Sequence, residues 1–251
     1  RNKFRFWDPD FMIKEFDVIH NMGIRNVKIA DEMFVLNKNH FMKLCNNIID
    51  RDYDFNIWAY ARIDTVKKEY LETLKKAGVE WLALGIESGN KVVRKDVVKG
   101  RFTEINIKDL VREVQDAGIN VIGNYIFGLP EDTVDTMQET LDLAQELNCE
   151  FANFYCSMAY PGSKLYLDAI RDKQVLPDDY VGYSQHSYNM RPLDTKHIPA
   201  SEVVKFRDQA FNQYHENPIY LESIKNKFGQ ETHDRMVDMC KYKLKRKLLG
   251  D

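Results

Sequence analysis

The chain has 251 residues, of which 44% are hydrophobic and 30% are charged, a composition typical of an ordinary globular protein. Its net charge of −3, from 36 basic and 39 acidic side chains, gives no general basic field, so we expect no nucleic-acid partner. No apolar run approaches the roughly 20 residues that span a bilayer, and the first residues lack the apolar part of a signal peptide. We therefore expect no membrane span and a cytoplasmic location.

The cysteines and histidines do not form a metal-ligand motif. Cys45, Cys149, Cys156 and Cys240 match neither CxxC nor CxxxCxxC spacing. We interpret them as reduced, mostly buried thiols. The six histidines form no HxH, HxxxH or HExxH pattern, so we predict no metal ligands in this chain.

Five short apolar or β-branched runs alternate with helical patterns in the first 160 residues. The runs lie at 26–31, 55–60, 81–86, 121–127 and 151–157. Asp8-Pro9 predicts the start of a helix before the first run, and further helices are predicted at about 40–50, 67–76, 105–116 and 134–147. Such alternation is typical of parallel strands with right-handed crossovers. Because no GxGxxG turn follows any strand, we favour a TIM-like (β/α) barrel or partial barrel over an open doubly wound sheet.

The pattern changes after Tyr160. A short helix is predicted at 164–171, an irregular stretch at 177–199, and three helices at 201–214, 218–227 and 230–249. We therefore predict a partial barrel over 1–160 and an α-helical C-terminal extension over 161–251. The basic run at 241–247 is expected on the solvent side of the last helix.

The predicted barrel begins with a helix rather than with a strand. A barrel that lacks its first strand exposes a sheet edge. We expect that edge to be covered or to pair with another chain, so self-association is a predicted property.

Polar residues stand at the carboxyl ends of the predicted strands, where parallel α/β folds bind ligands. Carboxylate, guanidinium, amide and hydroxyl groups together suit a ligand with amino, carboxylate and ribose groups. For any one of these residues the alternative is a cap of a helix or a turn. They are Asp31, Glu32, Tyr60, Arg62, Glu87, Ser88, Asn124, Tyr155 and Ser157.

Four motifs in order resemble the radical S-adenosylmethionine (radical SAM) enzymes, in particular the branch that often carries an N-terminal cobalamin-binding domain. They are IADE (29–32), GIESGN (85–90), YIFGLPEDT (125–133) and AYPGSKLY (159–166). The resemblance covers essentially the whole chain. It implies a partial barrel of the radical SAM type, with SAM and a [4Fe–4S] cluster as cofactors and cobalamin as a further candidate.

The resemblance also implies roles for residues at two strand ends. Asp31 and Glu32 take the place of the family's GGE-like motif, which engages the amino group of SAM. Glu87 and Ser88 take the fourth-strand place that contacts the ribose and the carboxylate.

A third set of residues belongs to the family's GxIxGxxE pattern, which cradles adenine. Asn124, Ile126 and Gly128 match this pattern, with Asn124 in place of its first glycine. Arg62 stands at another strand end and is a candidate partner for a ligand carboxylate, because a guanidinium pairs with a carboxylate through two hydrogen bonds.

The sequence departs from the family in one respect. The CxxxCxxC loop that binds the cluster through three thiolates has no counterpart in residues 1–251. We expect the chain to be a fragment: the SAM-binding portion of an enzyme that generates a 5′-deoxyadenosyl radical, inactive by itself. Methyl transfer and rearrangement both fit the intact enzyme, an oxidoreductase or methyltransferase type. The substrate and the catalytic residues stay open.

Two other functions stay open as well. A barrel enzyme could use Asp31, Glu32, Glu87 and Arg62 for acid–base or divalent-metal chemistry, with Mg²⁺ or Mn²⁺ dependence and no SAM affinity. A non-catalytic interaction module would bind a protein partner through the helical extension. On the substrate side, His186 is the best candidate because it lies in a long loop.

Overall fold

The computed structural model describes residues 5–97 and 106–251, without the side chains of residues 96 and 97. Five strands are found in the described residues, each within three residues of a predicted run. They are β1 (Asn26–Lys28), β2 (Asn56–Arg62), β3 (Val79–Glu87), β4 (Asn120–Phe127) and β5 (Phe151–Cys156).

The helices follow the predicted alternation, with one unpredicted addition, α4. They are α1 (Pro9–Asn21), α2 (Lys38–Ile49), α3 (Lys68–Lys76), α4 (Lys91–Val97), α5 (Ile107–Asp116), α6 (Val134–Leu147), α7 (Lys164–Arg171), α8 (Ala200–His215), α9 (Pro218–Phe228) and α10 (Gln230–Cys240). The predicted start of α5 at residue 105 lies outside the described residues. No helix among the described residues is long and apolar enough to cross a membrane.

Local sequence explains where the helices begin. The Asp8 side chain accepts a hydrogen bond from the backbone N–H of Asp10, and Pro9 occupies the first turn of α1. Thr133 and Thr136 form a reciprocal capping box at the start of α6, which fixes the turn that connects β4 to this helix.

The strands form one sheet in the order β1-β2-β3-β4-β5. The register of the first three strands is parallel, with Val27 beside Ile57 and Tyr60 beside Ala83, and a bulge lies at Ile57/Trp58. Each crossover contains a helix, as parallel strands require. β1 is a terminal strand of this sheet, so the predicted sheet edge is present.

The chain divides into two compact units. The first comprises Arg1–Ile86 and Glu104–Gly123, and its core contains the buried side chains of Ile57, Leu74 and Val114. The second comprises Glu87–Thr103 and Asn124–Asp251. In its core the rings of Phe127 and Phe154 stack with centroids 5.5 Å apart. The predicted domain boundary at residue 160 stays a prediction.

The last helix ends at Cys240 and not at residue 249, so the prediction for this segment is wrong. Residues 242–246 are non-helical, and they carry Arg246 into the interior, where it is fully buried. Its guanidinium binds both oxygens of Asp208 at 2.9 Å. The basic run therefore follows the helix and does not lie on it. Its four lysines are exposed, as expected, whereas Arg246 is buried in this ion pair.

Candidate functional site

In the first unit, Asp31 and Glu32 follow β1 and are both exposed. Oδ1 of Asp31 accepts a hydrogen bond from the backbone N–H of Met33 at 2.9 Å, so this carboxylate also fixes the turn after the strand. The two acidic side chains place negative charge at this strand end, which suits a cationic ligand group.

Arg62 ends β2 and already has a carboxylate partner. Its Nε and Nη2 donate to the two oxygens of Asp64 at 2.9 and 2.6 Å. The pair is partly buried, with 36% of the Arg62 side chain and 16% of the Asp64 side chain exposed. A ligand carboxylate at Arg62 would therefore have to share the guanidinium with Asp64 or displace it.

A cationic and aromatic group precedes Arg62 on the same face of the sheet. Nζ of Lys28 lies 4.2 Å from the ring centroid of Trp58 and 5.2 Å from that of Tyr60. Trp58, Tyr60 and Arg62 are half-buried, whereas the alternating residues of β2 are buried. Since side chains alternate across a strand, these three share one face. Neither Lys28 nor Trp58 is among the site residues predicted from the sequence.

In the second unit, buried hydrogen bonds hold the turn after β3. Glu87 has φ = +67°, a left-handed conformation uncommon for a residue other than glycine. Ser88 is fully buried, and its hydroxyl lies 3.2 Å from Oγ1 of Thr140 in α6 and accepts from the N–H of Asn90. The Ser88 side chain therefore holds this turn against α6, and its predicted contact with a ligand stays a prediction.

Gly89 in the same turn has a packing role. A Cβ atom there would lie 2.5 Å from the backbone carbonyl oxygen of Glu139. The backbone N–H of Gly89 also donates to Oγ1 of Thr140 at 2.9 Å. This close approach of backbone to helix explains the glycine without a ligand.

The end of β4 presents two of the predicted residues on one face. Asn124 and Ile126 are half-buried, whereas Tyr125 and Phe127 between and after them are buried. Oδ1 of Asn124 accepts a hydrogen bond from Nδ2 of Asn153 in β5 at 3.0 Å. An amide beside a branched apolar side chain is a surface that suits a flat heterocycle.

Gly128 follows β4 with φ = +77°. A Cβ atom at this position would lie 2.5 Å from Cγ1 of Val203 in α8. The close approach that this glycine permits is therefore made by α8, in addition to any ligand.

The turn between Gly128 and α6 is held by a buried carboxylate. Asp132 accepts from the N–H of Leu129 at 2.8 Å and from the hydroxyl of Thr136 at 2.7 Å. Burial raises the pKa of Asp132, although these hydrogen bonds oppose the rise. Glu131, the acidic residue of the GxIxGxxE pattern, forms an ion pair with Lys196.

The thiols of this chain do not fit an iron–sulfur cluster. All four cysteines are buried and unpaired, and burial raises the pKa of Cys45, Cys149 and Cys156 to about 12, whereas cluster ligation needs thiolates. In the part of the chain that the structure describes, no group of three or more His, Cys, Asp or Glu side chains could hold a metal ion.

Comparisons with known proteins bear on the fold and on the family. A sequence model of the Radical SAM superfamily matches residues 1–144, more than half of the chain. An uncharacterized methyltransferase of Pyrococcus horikoshii is 25% identical over 211 residues, which cover 84% of this chain and 45% of the relative. The anaerobic magnesium-protoporphyrin IX monomethyl ester cyclase of Cereibacter sphaeroides is 27% identical over 202 residues, which cover 76% of this chain and 32% of the relative. The chain thus spans less than half the length of these two relatives.

Two solved structures show the fold. One is the cobalamin-dependent S-adenosylmethionine radical enzyme OxsB with aqua-cobalamin bound, which superposes with a TM-score of 0.59 at 17% identity. The match covers 94% of this chain and 41% of the OxsB chain. The other is the radical S-adenosylmethionine methyltransferase TsrM from Kitasatospora setae, with cobalamin and a [4Fe–4S] cluster bound. It superposes with a TM-score of 0.55 at 19% identity, over 59% of this chain and 31% of the TsrM chain. The predicted fold class, a partial (β/α) barrel with additional helices, is confirmed.

Proposed function

The chain belongs to the radical SAM superfamily, and on that premise we propose that it is the SAM-binding portion of an enzyme whose [4Fe–4S] cluster is bound by residues outside 1–251. The family binds SAM and a [4Fe–4S] cluster. The observation that carries the proposal is the family match over residues 1–144 in a chain whose four cysteines are all buried. The greater length of the relatives supports a larger parent protein.

The proposed contacts follow the chemistry of the strand ends. Asp31 and Glu32 are exposed carboxylates for the ammonium group of SAM, since opposite charges attract even at a solvated surface. Asn124 and Ile126 offer an amide and an apolar side chain for adenine. Glu87 is proposed for the ribose hydroxyls, which a carboxylate can accept hydrogen bonds from.

The remaining predicted residues are proposed to act in other ways. Arg62 would bind the carboxylate of SAM through the part of its guanidinium that Asp64 does not occupy. Ser88 and Gly128 would hold the conformation of their turns through their contacts with Thr140 and Val203, and would not bind SAM through a side chain.

The reaction of the whole protein is proposed from its relatives, which include a methyltransferase and a cyclase. Methyl transfer or rearrangement, with cobalamin as an additional cofactor, fits this group of relatives. We also propose a cytoplasmic location, which the unpaired thiols support.

Self-association is a separate proposal. β1 is a terminal strand of the sheet, and an open strand edge can pair with a second copy of the chain. Light scattering that finds only a monomer at high concentration would contradict this proposal.

The proposed function is tested by titrating SAM into the iron-free chain and measuring the heat. We expect saturable binding that Glu32→Gln weakens about tenfold, which corresponds to about 1.4 kcal/mol for one lost charge-assisted contact. Glu202→Gln is the control, because Glu202 is an exposed carboxylate in the first turn of α8. Absence of saturable binding, or equal weakening by both substitutions, would overturn the proposal.

A further inference from the structure

The second unit contains a cavity of about 370 Å³ whose lining includes no residue of the radical SAM motifs. It is bounded by β5, α8, the end of α10 with the segment after it, and the loop that carries His186. Phe151, Phe211 and Met239 give it apolar walls, and Asn153, His186 and Arg207 contribute polar groups. A small, mostly apolar cavity with a few polar groups is the usual form of a small-molecule site.

Arg207 in the cavity wall has hydrogen-bonding capacity that the protein leaves unused. Only 4% of this residue is exposed. Nε donates to the carbonyl of Phe154 at 2.7 Å and Nη1 to Oδ1 of Asp208 at 2.8 Å. Nη2 makes no hydrogen bond with any described residue, although a guanidinium has five N–H donors. Nη2 therefore has free N–H donors at the cavity wall, and a carboxylate bound there would gain a charge-assisted hydrogen bond.

Arg207 belongs to a cluster of charged side chains beside the cavity. Arg246, which is fully buried, shares the carboxylate of Asp208 with Arg207, so two guanidinium groups face one carboxylate. Burial alone would raise the pKa of Asp208, but hydrogen bonds from both arginines outweigh this effect and hold the pKa below its usual range. The carboxyl group is therefore ionised. At the rim, Lys243 lies 3.7 Å from Glu216 and these two charges offset each other. The carboxylate of Asp251 accepts from the backbone N–H of Arg246.

The loop beside the cavity is built to hold His186 in place. Nη1 of Arg246 donates to the carbonyls of Gln185 and Ser187, on either side of His186, at 3.1 and 3.0 Å. The Gln185 side chain pairs with both the N–H and the C=O of Cys156 in β5 at 2.9 Å. The imidazole of His186 itself makes no hydrogen bond within the described residues. Burial, with Arg207 and Arg246 nearby, lowers the pKa of His186, so the ring is neutral at pH 7 and can accept or donate.

We propose that this cavity binds a small carboxylate-bearing molecule with an apolar body. Its carboxylate accepts from Nη2 of Arg207, its apolar part lies against Phe151 and Phe211, and a second polar group contacts His186. A monoanion matches this wall better than a doubly charged phosphate, because Asp208 already neutralises part of the charge of the two guanidinium groups. That this molecule is the substrate rests on the proposed function, whereas the binding itself does not.

The test uses 3-(4-hydroxyphenyl)propionate, whose phenol hydroxyl supplies the second polar group, and its uncharged counterpart 3-(4-hydroxyphenyl)propanamide, each titrated into the 251-residue protein by calorimetry. We expect saturable binding of the acid at least tenfold tighter than binding of the amide. Equal affinities for the two probes, or no saturable binding of either, would overturn the proposal.

Two substitutions locate the binding. His186→Ala should weaken binding of the acid about three- to tenfold, the worth of one neutral hydrogen bond. The matched control His233→Ala should leave it unchanged, because His233 lies on α10 and contacts Gln230 and Asp234. Equal effects of the two histidine substitutions would place the probe elsewhere and refute the assignment.

Arg207→Gln tests the anion contact directly. It should reduce the preference for the acid over the amide to less than twofold, provided that its circular dichroism matches the parent. If the fold is lost, the probe preference and the histidine pair still decide the question. SAM titrated into the same protein separates the two proposals, since absence of SAM binding together with binding of the aromatic acid overturns only the proposed function.

Discussion

Gly128→Ala is the substitution whose effect can be worked out most fully from the structure. At φ = +77° a residue with a Cβ atom pays about 1–2 kcal/mol for the left-handed conformation. The new methyl group would also lie 2.5 Å from Cγ1 and 3.2 Å from Cγ2 of the buried Val203 side chain. Overpacking of this kind costs about 1–3 kcal/mol. We therefore expect Gly128→Ala to lower the free energy of unfolding by about 2–5 kcal/mol.

Two further variants separate these contributions. Gly162→Ala is the matched control, because Gly162 has φ = +87° and a Cβ atom added there would have no heavy atom within 4 Å, so only the conformational cost applies. Val203→Ala in the Gly128→Ala background removes the clash and leaves the conformational cost. The double-mutant cycle should give a favourable coupling of about 1–3 kcal/mol between positions 128 and 203.

The assay is urea unfolding at pH 7, followed by far-ultraviolet circular dichroism, for the parent, the single variants and the double variant. An equal loss for Gly128→Ala and Gly162→Ala, or strictly additive effects of Gly128→Ala and Val203→Ala, would contradict this explanation. In that case the glycine would not be required by the packing of α8, and a ligand would be the better reason for it.

Three further predictions concern buried side chains. Burial lowers the pKa of His215 to about 4, while a histidine in the unfolded chain titrates near 6.5. Above pH 7 the ring is neutral in both states. As the pH falls below 7, the unfolded chain takes up a proton first, which favours unfolding. Stability should therefore drop by about 2 kcal/mol between pH 7.5 and 5, and His215→Phe should remove this loss in urea unfolding at the two pH values; an unchanged loss would argue against it. Because their pKa is raised to about 12, the thiols of Cys45, Cys149 and Cys156 should react with a disulfide reagent only after denaturation, and rapid reaction in the native protein would contradict the burial. Ser88→Ala should cost about 1 kcal/mol of stability with little change in SAM affinity, whereas a tenfold loss of affinity at unchanged stability would indicate direct contact.

Much of the fold could be predicted from local patterns. Apolar runs predicted the five strands, and Asp8-Pro9 marked the start of α1 correctly. The end of α10 could not be predicted, because the basic run after Cys240 is compatible with a helix. After the helix the chain reaches Arg246, and its buried contact with Asp208 joins residues that lie far apart in sequence.

The candidate site was predictable in outline and not in its contacts. Their position at strand ends selected Arg62 and Ser88 as candidates. Only the structure shows that the Arg62 guanidinium is paired with Asp64 and that Ser88 is buried. For Arg207 the sequence did contain a signal. It lies three and four residues from Val204 and Val203 on the apolar stripe of α8, where a charge needs a buried partner.

Two-dimensional amide NMR of the iron-free chain can map where SAM binds, and it is the experiment that decides whether this chain is the SAM-binding portion of its enzyme. We expect that the backbone amides shifted by SAM lie at the ends of β1, β3 and β4, including those of Glu32, Glu87 and Ile126. We also expect that added iron and sulfide leave the buried thiols unligated. No shifted amides at these strand ends, or shifts confined to other parts of the chain, would contradict the assignment of the SAM site.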